Sequence, residues 1–198
     1  MLTIVDCKTG NLRNIQKALL KLGVEASISQ TQKEIDVATG YILPGVGSFA
    51  NAMANLEDLN LVKSLKDNII NKKKSTLGIC LGMQILAEVG HEDGYTKGLG
   101  VLPMEIKKLK SSDDHPVPHI GWNDIEYNSK SALFNDTPQN GDYYFVHSYH
   151  AICLEKEIIA ATCNHSSKFV AAVEKDHIFA TQFHPEKSQE NGFKVLQS

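Results

Sequence analysis

The chain has 198 residues, of which 42% are hydrophobic and 22% charged, and its formal net charge is −3. This length suits one domain with a buried core, which we expect to span 1–198, and the charge argues against nucleic acid as a partner. No segment approaches the roughly 20 apolar residues of a transmembrane helix, so we expect no membrane association. The first residues do not resemble a signal peptide and the four cysteines show no disulfide spacing, which predicts a cytoplasmic location.

The first half of the chain alternates between predicted strands and predicted helices. Strands are expected at 2–6, 25–29, 40–43 and 75–79, and helices at 11–22, about 49–56 and about 61–70. Gly23 is well placed to end the first helix. Strands that alternate with helices pair in parallel, so this half predicts a three-layer α/β fold with a mostly parallel central sheet.

The second half is rich in predicted strands and poor in helices. Strands are expected at 100–109, 124–127, 143–150, 158–162, 169–174 and 178–183, and a last helix at about 189–196. Strands with few intervening helices favour antiparallel additions to the sheet.

A candidate nucleophile lies between the strand 75–79 and an apolar stretch that follows it. Residues 78–82 read Gly-Ile-Cys-Leu-Gly, the sequence form of a nucleophile elbow, and the nucleophile is Cys80. A side chain at either glycine would crowd so tight a turn. A lone cysteine in an apolar run is more often a small core residue, so further chemistry is needed to support this interpretation.

That further chemistry is a candidate base and acid near the C-terminus. His184 and Glu186 are two residues apart, so in an extended segment their side chains point the same way and the carboxylate can orient the imidazole. A His-x-Glu pair alone is more often a surface pair. Together with the elbow, it predicts a Cys80–His184–Glu186 catalytic triad.

Donors for a developing negative charge are expected in a glycine-rich turn. Acyl transfer from an amide needs N–H groups that face the tetrahedral oxyanion. The turn Gly45-Val46-Gly47 directly follows a predicted strand, and the N–H of Leu81 at the elbow offers a second donor. Such a turn is usually an ordinary loop, but beside an elbow cysteine we expect an oxyanion site.

A metal or nucleotide cofactor is not expected. His147, His150, Cys153 and His165 form a possible ligand set, but the first two lie three apart in a predicted strand and so point to opposite faces. The chain also lacks a phosphate-binding P-loop and a convincing dinucleotide fingerprint.

Several motifs together carry a family resemblance over essentially the whole chain. The segments 44–49, 77–84 and 183–188 resemble those of class I, triad-type glutamine amidotransferases. More narrowly, His-Ile-Gly-Trp-Asn at 119–123 and Tyr-Phe-Val-His-Ser-Tyr at 144–149 resemble the glutaminase subunits of imidazole glycerol phosphate synthases, enzymes of histidine biosynthesis.

The resemblance implies a role for each candidate residue. Cys80 attacks the carboxamide of L-glutamine, His184 shuttles the proton and Glu186 orients His184. The remaining residues fall into three groups: Gly45, Val46, Gly47 and Leu81 in the oxyanion site; Gln84, Glu92, Ser148 and Tyr149 around glutamine; and Asn11, Trp122, Tyr144 and Lys187 facing a (β/α)₈-barrel synthase subunit in a heterodimer. That partner receives the ammonia and makes imidazole glycerol phosphate and AICAR.

Alternatives remain because the first turn departs from the family pattern. The family usually has Asp-Tyr-Gly-x-Gly-Asn-Leu, whereas this chain has Asp-Cys-Lys-Thr-Gly-Asn-Leu at 6–12, at the end that faces the partner. A paralogue that supplies ammonia to a sugar-amidinating enzyme of surface-polysaccharide biosynthesis would have the same catalytic residues. A non-catalytic binding module of the same fold is disfavoured by the intact triad, and Gln84 argues against a cysteine peptidase or γ-glutamyl hydrolase.

Overall fold

The computed structural model describes residues 1–139 and 141–198. The strands, in chain order, are β1 (Leu2–Val5), β2 (Ala26–Ser29), β3 (Gly40–Leu43), β4 (Ser75–Ile79), β5 (Val89–Gly90), β6 (Thr96–Lys97), β7 (Met104–Lys108), β8 (His119–Asp124), β9 (Glu126–Tyr127), β10 (Asp142–His147), β11 (Tyr149–Cys153), β12 (Ile159–Asn164), β13 (Lys168–Lys175) and β14 (Ile178–Thr181). The α-helices are α1 (Leu12–Lys21), α2 (Gln32–Val37), α3 (Phe49–Asp58), α4 (Val62–Lys66), α5 (Leu81–Ile85) and α6 (Gln189–Gln197). A π-helical turn continues α4 at Asp67–Asn71, and short 3₁₀ turns lie at Ala132–Phe134, Lys156–Ile158 and Pro185–Lys187.

The main sheet has eight strands in the order β2-β1-β3-β4-β14-β13-β12-β9. The first five pair in parallel, and β13, β12 and β9 add antiparallel strands at the other side. This arrangement confirms the predicted mostly parallel sheet with antiparallel additions from the second half. Two smaller sheets complete the fold, one made of β10 and β8 and the other in the order β11-β7-β5-β6.

Apolar side chains cover both faces of the parallel strands. Ile15 and Leu19 of α1 pack with Ile4 and Ile79 of the sheet on one side. On the other side, α3, α4 and α5 contribute to a larger core cluster through Phe49, Leu56, Leu65, Leu81 and Ile85. The helices therefore form two outer layers around the sheet, as expected of a three-layer fold. Among the described residues, no helix is long and apolar enough to cross a bilayer.

Parallel pairing places the carboxyl ends of β1, β3, β4 and β14 at one edge of the main sheet. Leu43 of β3 pairs with Gly78 of β4, and Ile79 of β4 pairs with Thr181 of β14, so these strands end at similar heights. The segments that follow carry the glycine turn, Cys80 and His184. Ligands of such sheets bind beyond this edge, where the candidate residues converge.

Several elements differ from the sequence-based expectation, among them β5 and β6, which are not predicted, and β7, which begins at Met104 and not at residue 100. The predicted strand 143–150 is two strands, β10 and β11, which belong to different sheets and are separated at Ser148, whose carbonyl accepts from Leu109 N at 2.9 Å. The buried positions 143, 145, 147 and 151 keep an even spacing through the break, so the sequence pattern does not reveal the change of sheet. Strand β8 begins at His119, whereas the sequence predicts a strand there only from residue 124, and the short helix α2 is not predicted because only Ile35 of it is buried.

Candidate active site

The elbow around Cys80 has the tight geometry that its glycines predict. Cys80 lies between β4 and α5 with φ 55° and ψ −109°, a strained backbone for a residue with a side chain. A Cβ on Gly82 would lie 1.5 Å from the carbonyl oxygen of Leu43, and one on Gly78 would lie 2.8 Å from that of Gly82. Both positions therefore require glycine, and the backbone N–H of Cys80 donates to Thr181 O at 2.8 Å.

His184 and Glu186 form a buried pair beside the elbow. Nδ1 of His184 lies 2.8 Å from Oε1 of Glu186, and the two side chains are 1% and 0% exposed. Asn11 donates a second hydrogen bond to the same carboxylate oxygen. The backbone N–H of His184 donates to Tyr144 O at 2.9 Å, so both the ring and the main chain of this residue are held in place.

The surroundings of His184 favour its charged form. Burial alone would lower the pKa of this imidazole, but the neighbouring Cys80 sulfur and Glu186 carboxylate favour the charged ring, outweigh burial and raise the pKa to about 9. No residue among those described hydrogen-bonds to its buried Nε2. An imidazolium with a free donor at Nε2 can supply a proton to a leaving group.

The turn at Gly45-Val46-Gly47 holds its central N–H away from any oxyanion. Val46 N donates to the carbonyl oxygen of Thr9 at 3.2 Å, so it is not available to a substrate in this arrangement. Leu81, by contrast, is the first residue of α5, where an N–H has no partner inside the helix. One of the two predicted donors is therefore free of intrahelical bonds and the other is engaged.

A cavity of about 230 Å³ opens above Cys80. Its walls bring together most of the residues predicted for the oxyanion site and for glutamine, and they add three that the sequence did not indicate. The predicted residues are Val46, Gly47, Cys80, Leu81, Gln84, Glu92, Ser148 and Tyr149, and the additional ones are Pro118, Val146 and His147. Gly45 is not among the lining residues; a Cβ there would lie 2.9 Å from Thr9 Oγ1 and 3.1 Å from the Leu81 side chain.

Polar groups in the cavity wall are held by specific partners. Gln84 Nε2 donates to Tyr149 O at 3.0 Å and to Gln182 Oε1 at 3.1 Å. Glu92 accepts from the backbone N–H of Phe49 at 2.6 Å, which places its carboxylate at the start of α3. Both of these lining side chains are thus held by hydrogen bonds to distant segments of the chain.

Gln182 is a site residue that sequence reasoning missed. Its Nε2 lies 3.7 Å from Cys80 Sγ, and its Oε1 accepts from Gln84. The signal that could have indicated it was its position two residues before His184, because alternate residues of an extended segment share a face. Gln182 is fully buried, so it helps to set the surroundings of the thiol.

The residues predicted to face a partner lie beside the candidate triad. Trp122 and Tyr144 meet edge to face with ring centroids 5.9 Å apart, and the Lys187 ammonium lies 5.5 Å above the Tyr144 ring. Asn11, the fourth, contacts Glu186 directly. A protein that docks on this surface would touch residues bonded to the site.

Comparison with known proteins identifies the class to which this fold and site belong. The family model for class-I glutamine amidotransferases matches residues 3–197, so the chain belongs to that family.

Individual relatives narrow the comparison. The chain is 42% identical over 198 residues to imidazole glycerol phosphate synthase subunit HisH 1 of Campylobacter jejuni strain RM1221, an alignment that covers 100% of this chain and 98% of the relative. It is 40% identical over 198 residues to subunit HisH 2 of Methanococcus maripaludis, with the same coverage of both chains.

Solved structures agree in fold. A crystal structure of a glutamine amidotransferase matches with a TM-score of 0.77 at 17% identity, covering 98% of this chain and 94% of the other. The PurLQS structure from Thermotoga maritima matches with a TM-score of 0.74 at 19% identity, covering 99% and 95%. At such low identity, these matches establish the shared fold.

Proposed function

We propose that this chain is the glutaminase subunit of an imidazole glycerol phosphate synthase, which hydrolyses L-glutamine and passes ammonia to a (β/α)₈-barrel partner in histidine biosynthesis. The observation that carries the proposal is the placement of Cys80 on a strained elbow at the floor of the cavity, beside the buried His184–Glu186 pair. The full-length similarity to two HisH subunits supports the choice of partner.

The chemistry begins with the Cys80–His184 pair. The thiolate of Cys80 attacks the carboxamide carbon of glutamine, and the carbonyl electrons move onto oxygen. The imidazolium of His184, whose raised pKa keeps it protonated at neutral pH, gives its Nε2 proton to the leaving nitrogen. Ammonia departs and leaves a γ-glutamyl thioester on Cys80. Water then attacks the thioester, His184 takes its proton, and glutamate is released.

Glu186 has a positioning role in both steps. It accepts from Nδ1 of His184, so Nε2 points toward the thiol and the substrate. Asn11 shares the same carboxylate oxygen and also belongs to the surface proposed for the partner. Docking at Asn11 therefore acts directly on the group that orients the base.

The oxyanion of the tetrahedral intermediate needs two donors, and one of them must be freed. Leu81 N–H is proposed as the first donor and Val46 N–H as the second. Val46 N–H is bonded to Thr9 O here, so the peptide must turn before it can donate to the oxyanion. Glycines on both sides make that rotation sterically accessible. Partner docking with acceptor bound is proposed to favour the rotated peptide, which limits wasteful hydrolysis.

The test of this proposal is a Cys80→Ala variant assayed with its barrel partner. Loss of the nucleophile should lower glutamine hydrolysis by several orders of magnitude, while the complex still forms and still uses added ammonia. The matched control is Cys153→Ala, a half-buried cysteine on β11 that lies outside the cavity lining. Hydrolysis by Cys80→Ala near the wild-type rate would overturn the assignment of the nucleophile.

A second candidate function, supply of ammonia to a sugar-amidinating enzyme, is favoured by one observation. The turn after β1 has Lys8 exposed with φ 57°, whereas Cys7 is buried, so the departure from the family pattern changes the charge of the outer surface. Purified chain can be mixed with the barrel subunit and with the sugar-amidinating enzyme of its own organism. The partner that stimulates glutaminase activity at equal concentration identifies the acceptor.

A further inference from the structure

The strands β8 and β10 form a two-stranded ribbon with two unlike faces. Trp122 is paired with Tyr144 and His119 with His147, so the first pair lies on the outer face and the second on the inner face. Trp122 is 48% exposed, whereas His119 and His147 are 4% and 6% exposed. The outer face of the ribbon therefore belongs to the proposed partner surface, and its inner face belongs to the protein interior.

The inner pair forms a hydrogen-bond chain whose direction is determined by chemistry. Nδ1 of His147 lies 2.9 Å from the carbonyl oxygen of Tyr149, which can only accept, so this nitrogen carries the hydrogen. In a neutral ring, Nε2 is then an acceptor. Nδ1 of His119 lies 3.1 Å from that Nε2 and must donate to it. Each ring is thereby restricted to one tautomer.

The chain of hydrogen bonds ends on an atom that also holds the glutamine cavity together. Tyr149 O accepts from His147 and from Gln84 Nε2, so both of its acceptor directions are used. Gln84 continues to Gln182, which contacts Cys80 Sγ. His147 itself lines the cavity, although nothing in the reaction uses its ring.

We propose that His119 and His147 are positioning residues for glutamine. Through their hydrogen bonds they fix the Tyr149 peptide and Gln84 relative to the β8–β10 ribbon. This inference rests on the proposed glutaminase function. His119 selects the tautomer of His147, and His147 fixes the carbonyl that anchors Gln84. A movement of Trp122 and Tyr144 on partner docking would reach the cavity through this pair.

Packing alone and metal binding account for the two histidines less well. The His119 ring is stacked on Phe145 with centroids 4.9 Å apart and on His165 with centroids 4.1 Å apart, but packing does not require the hydrogen bond to His147. A metal site is not supported, because no group of three metal-ligating side chains is found in residues 1–139 and 141–198. Burial, with a smaller contribution from neighbouring histidines, lowers the pKa of His119 to about 4, and burial lowers that of His147 to about 3, so both are neutral near pH 7. The hydrogen-bond chain requires this of His147, whose Nε2 must accept, whereas His119 can donate from Nδ1 in either charge state.

Two substitutions at His119 separate hydrogen bonding from packing. His119→Phe keeps a stacked ring but removes the donor, whereas His119→Asn removes the ring and keeps an amide N–H near the place of Nδ1. Positioning through the hydrogen bond predicts that His119→Phe raises the KM for glutamine about fivefold to tenfold in the partner complex, with kcat nearly unchanged. His119→Asn should stay within about twofold of wild type. The opposite ranking, or equal KM values for both variants and wild type, would overturn the proposal.

Failure of this inference is distinct from failure of the proposed function. Wild-type complex that does not hydrolyse glutamine would remove the function, whereas active wild type with an unaltered His119→Phe variant would remove only the positioning role. Nitrogen-15 NMR of the wild-type chain keeps the test independent of any variant's folding. We expect both His119 and His147 to be neutral with hydrogen on Nδ1, and a spectrum with either hydrogen on Nε2 would contradict the proposed hydrogen-bond chain.

Discussion

The elbow at Cys80 and the glycine turn at Val46 follow the neighbouring strands β4 and β3. Close packing fixes the backbone of the elbow, whereas the turn has room to change its conformation. At the elbow, a Cβ on Gly82 would almost coincide with the carbonyl oxygen of Leu43. At the turn, Val46 is 39% exposed, and a Cβ on Gly47 would have no atom within 4 Å. The difference indicates that the proposed nucleophile is in place in the free chain, whereas one proposed oxyanion donor is not. Control of the reaction is therefore expected in the turn.

The largest effect should come from a substitution at the nucleophile elbow, and it should be on the stability of the fold. Gly82→Ala puts a Cβ 1.5 Å from Leu43 O, so the elbow and β3 cannot both keep their positions. We expect a loss of about 4 kcal/mol or more in the free energy of unfolding, or no folded protein. Gly47→Ala is the matched control, because its only penalty is the φ of +107°, about 1–2 kcal/mol. Equal stability of the two variants in urea denaturation would contradict the claim that the elbow is more tightly packed than the turn.

The next largest effect is on the catalytic rate and concerns Glu186, the acid of the proposed triad. Glu186→Gln retains an acceptor for His184 Nδ1 but loses the negative charge that helps to raise the pKa of His184. We expect a loss on the order of 10² to 10⁴ in kcat with the fold retained. NMR titration should also place the pKa of His184 lower than in wild type. Glu190→Gln, an exposed neighbour on α6, is the control; comparable kcat values in both variants would demote Glu186 to a structural residue.

The parallel half of the fold could be predicted from the sequence because its signals are local, and the residues of the proposed triad were indicated by short motifs. Strand boundaries at 40–43 and 75–79 agree with β3 and β4, and close backbone approach accounts for the elbow glycines. His184 and Glu186 were indicated by their spacing together with the elbow. The structure brings them within hydrogen-bond distance, although through a 3₁₀ turn at Pro185–Lys187 and not through the expected extended segment.

What the sequence could not provide depends on contacts between distant segments. The break at Ser148 places Tyr149 in a different sheet from His147, and only then can one carbonyl join His147 to Gln84. The interpretation of His147 and His150 as opposite faces of one strand was wrong for this reason. Likewise, the bond from Val46 N to Thr9 O joins two turns that only the sheet order brings together.

The glycine turn around Val46 predicts that the partner controls the rate of glutamine hydrolysis. If Val46 N–H must leave Thr9 O before it can donate to an oxyanion, the isolated chain should hydrolyse glutamine about two to three decades more slowly than the complex with acceptor bound. Steady-state glutaminase assays of the purified chain, alone and then with partner and acceptor ligand, measure this ratio. An isolated chain already at full rate would refute gating by the turn and leave the triad assignment untouched.

The smallest predicted effect is on the pH dependence of stability. It arises because the pKa values of the buried histidines shift in opposite directions. The pKa of His184 is raised to about 9, so its contribution to stability is present below pH 6.5 and is lost as pH rises toward 9. His119 and His147 have lowered pKa values, about 4 and about 3, so the unfolded chain takes up protons first as pH falls below 6.5. Each should lower the free energy of unfolding by up to about 1.4 kcal/mol per pH unit between pH 6.5 and 4.

His119→Asn isolates one of these two contributions, because an amide does not titrate in this range. Urea denaturation of wild type and variant at pH 7, 6 and 5 should show a shallower loss of stability in the variant, by up to about 1.4 kcal/mol per pH unit. The comparison uses slopes rather than absolute stabilities, so any packing cost of the lost ring cancels. Parallel pH dependences in the two proteins would mean that His119 is protonated about as easily in the folded chain as in the unfolded one. The folded environment would then not favour the neutral form of His119 over its charged form, contrary to the lowered pKa.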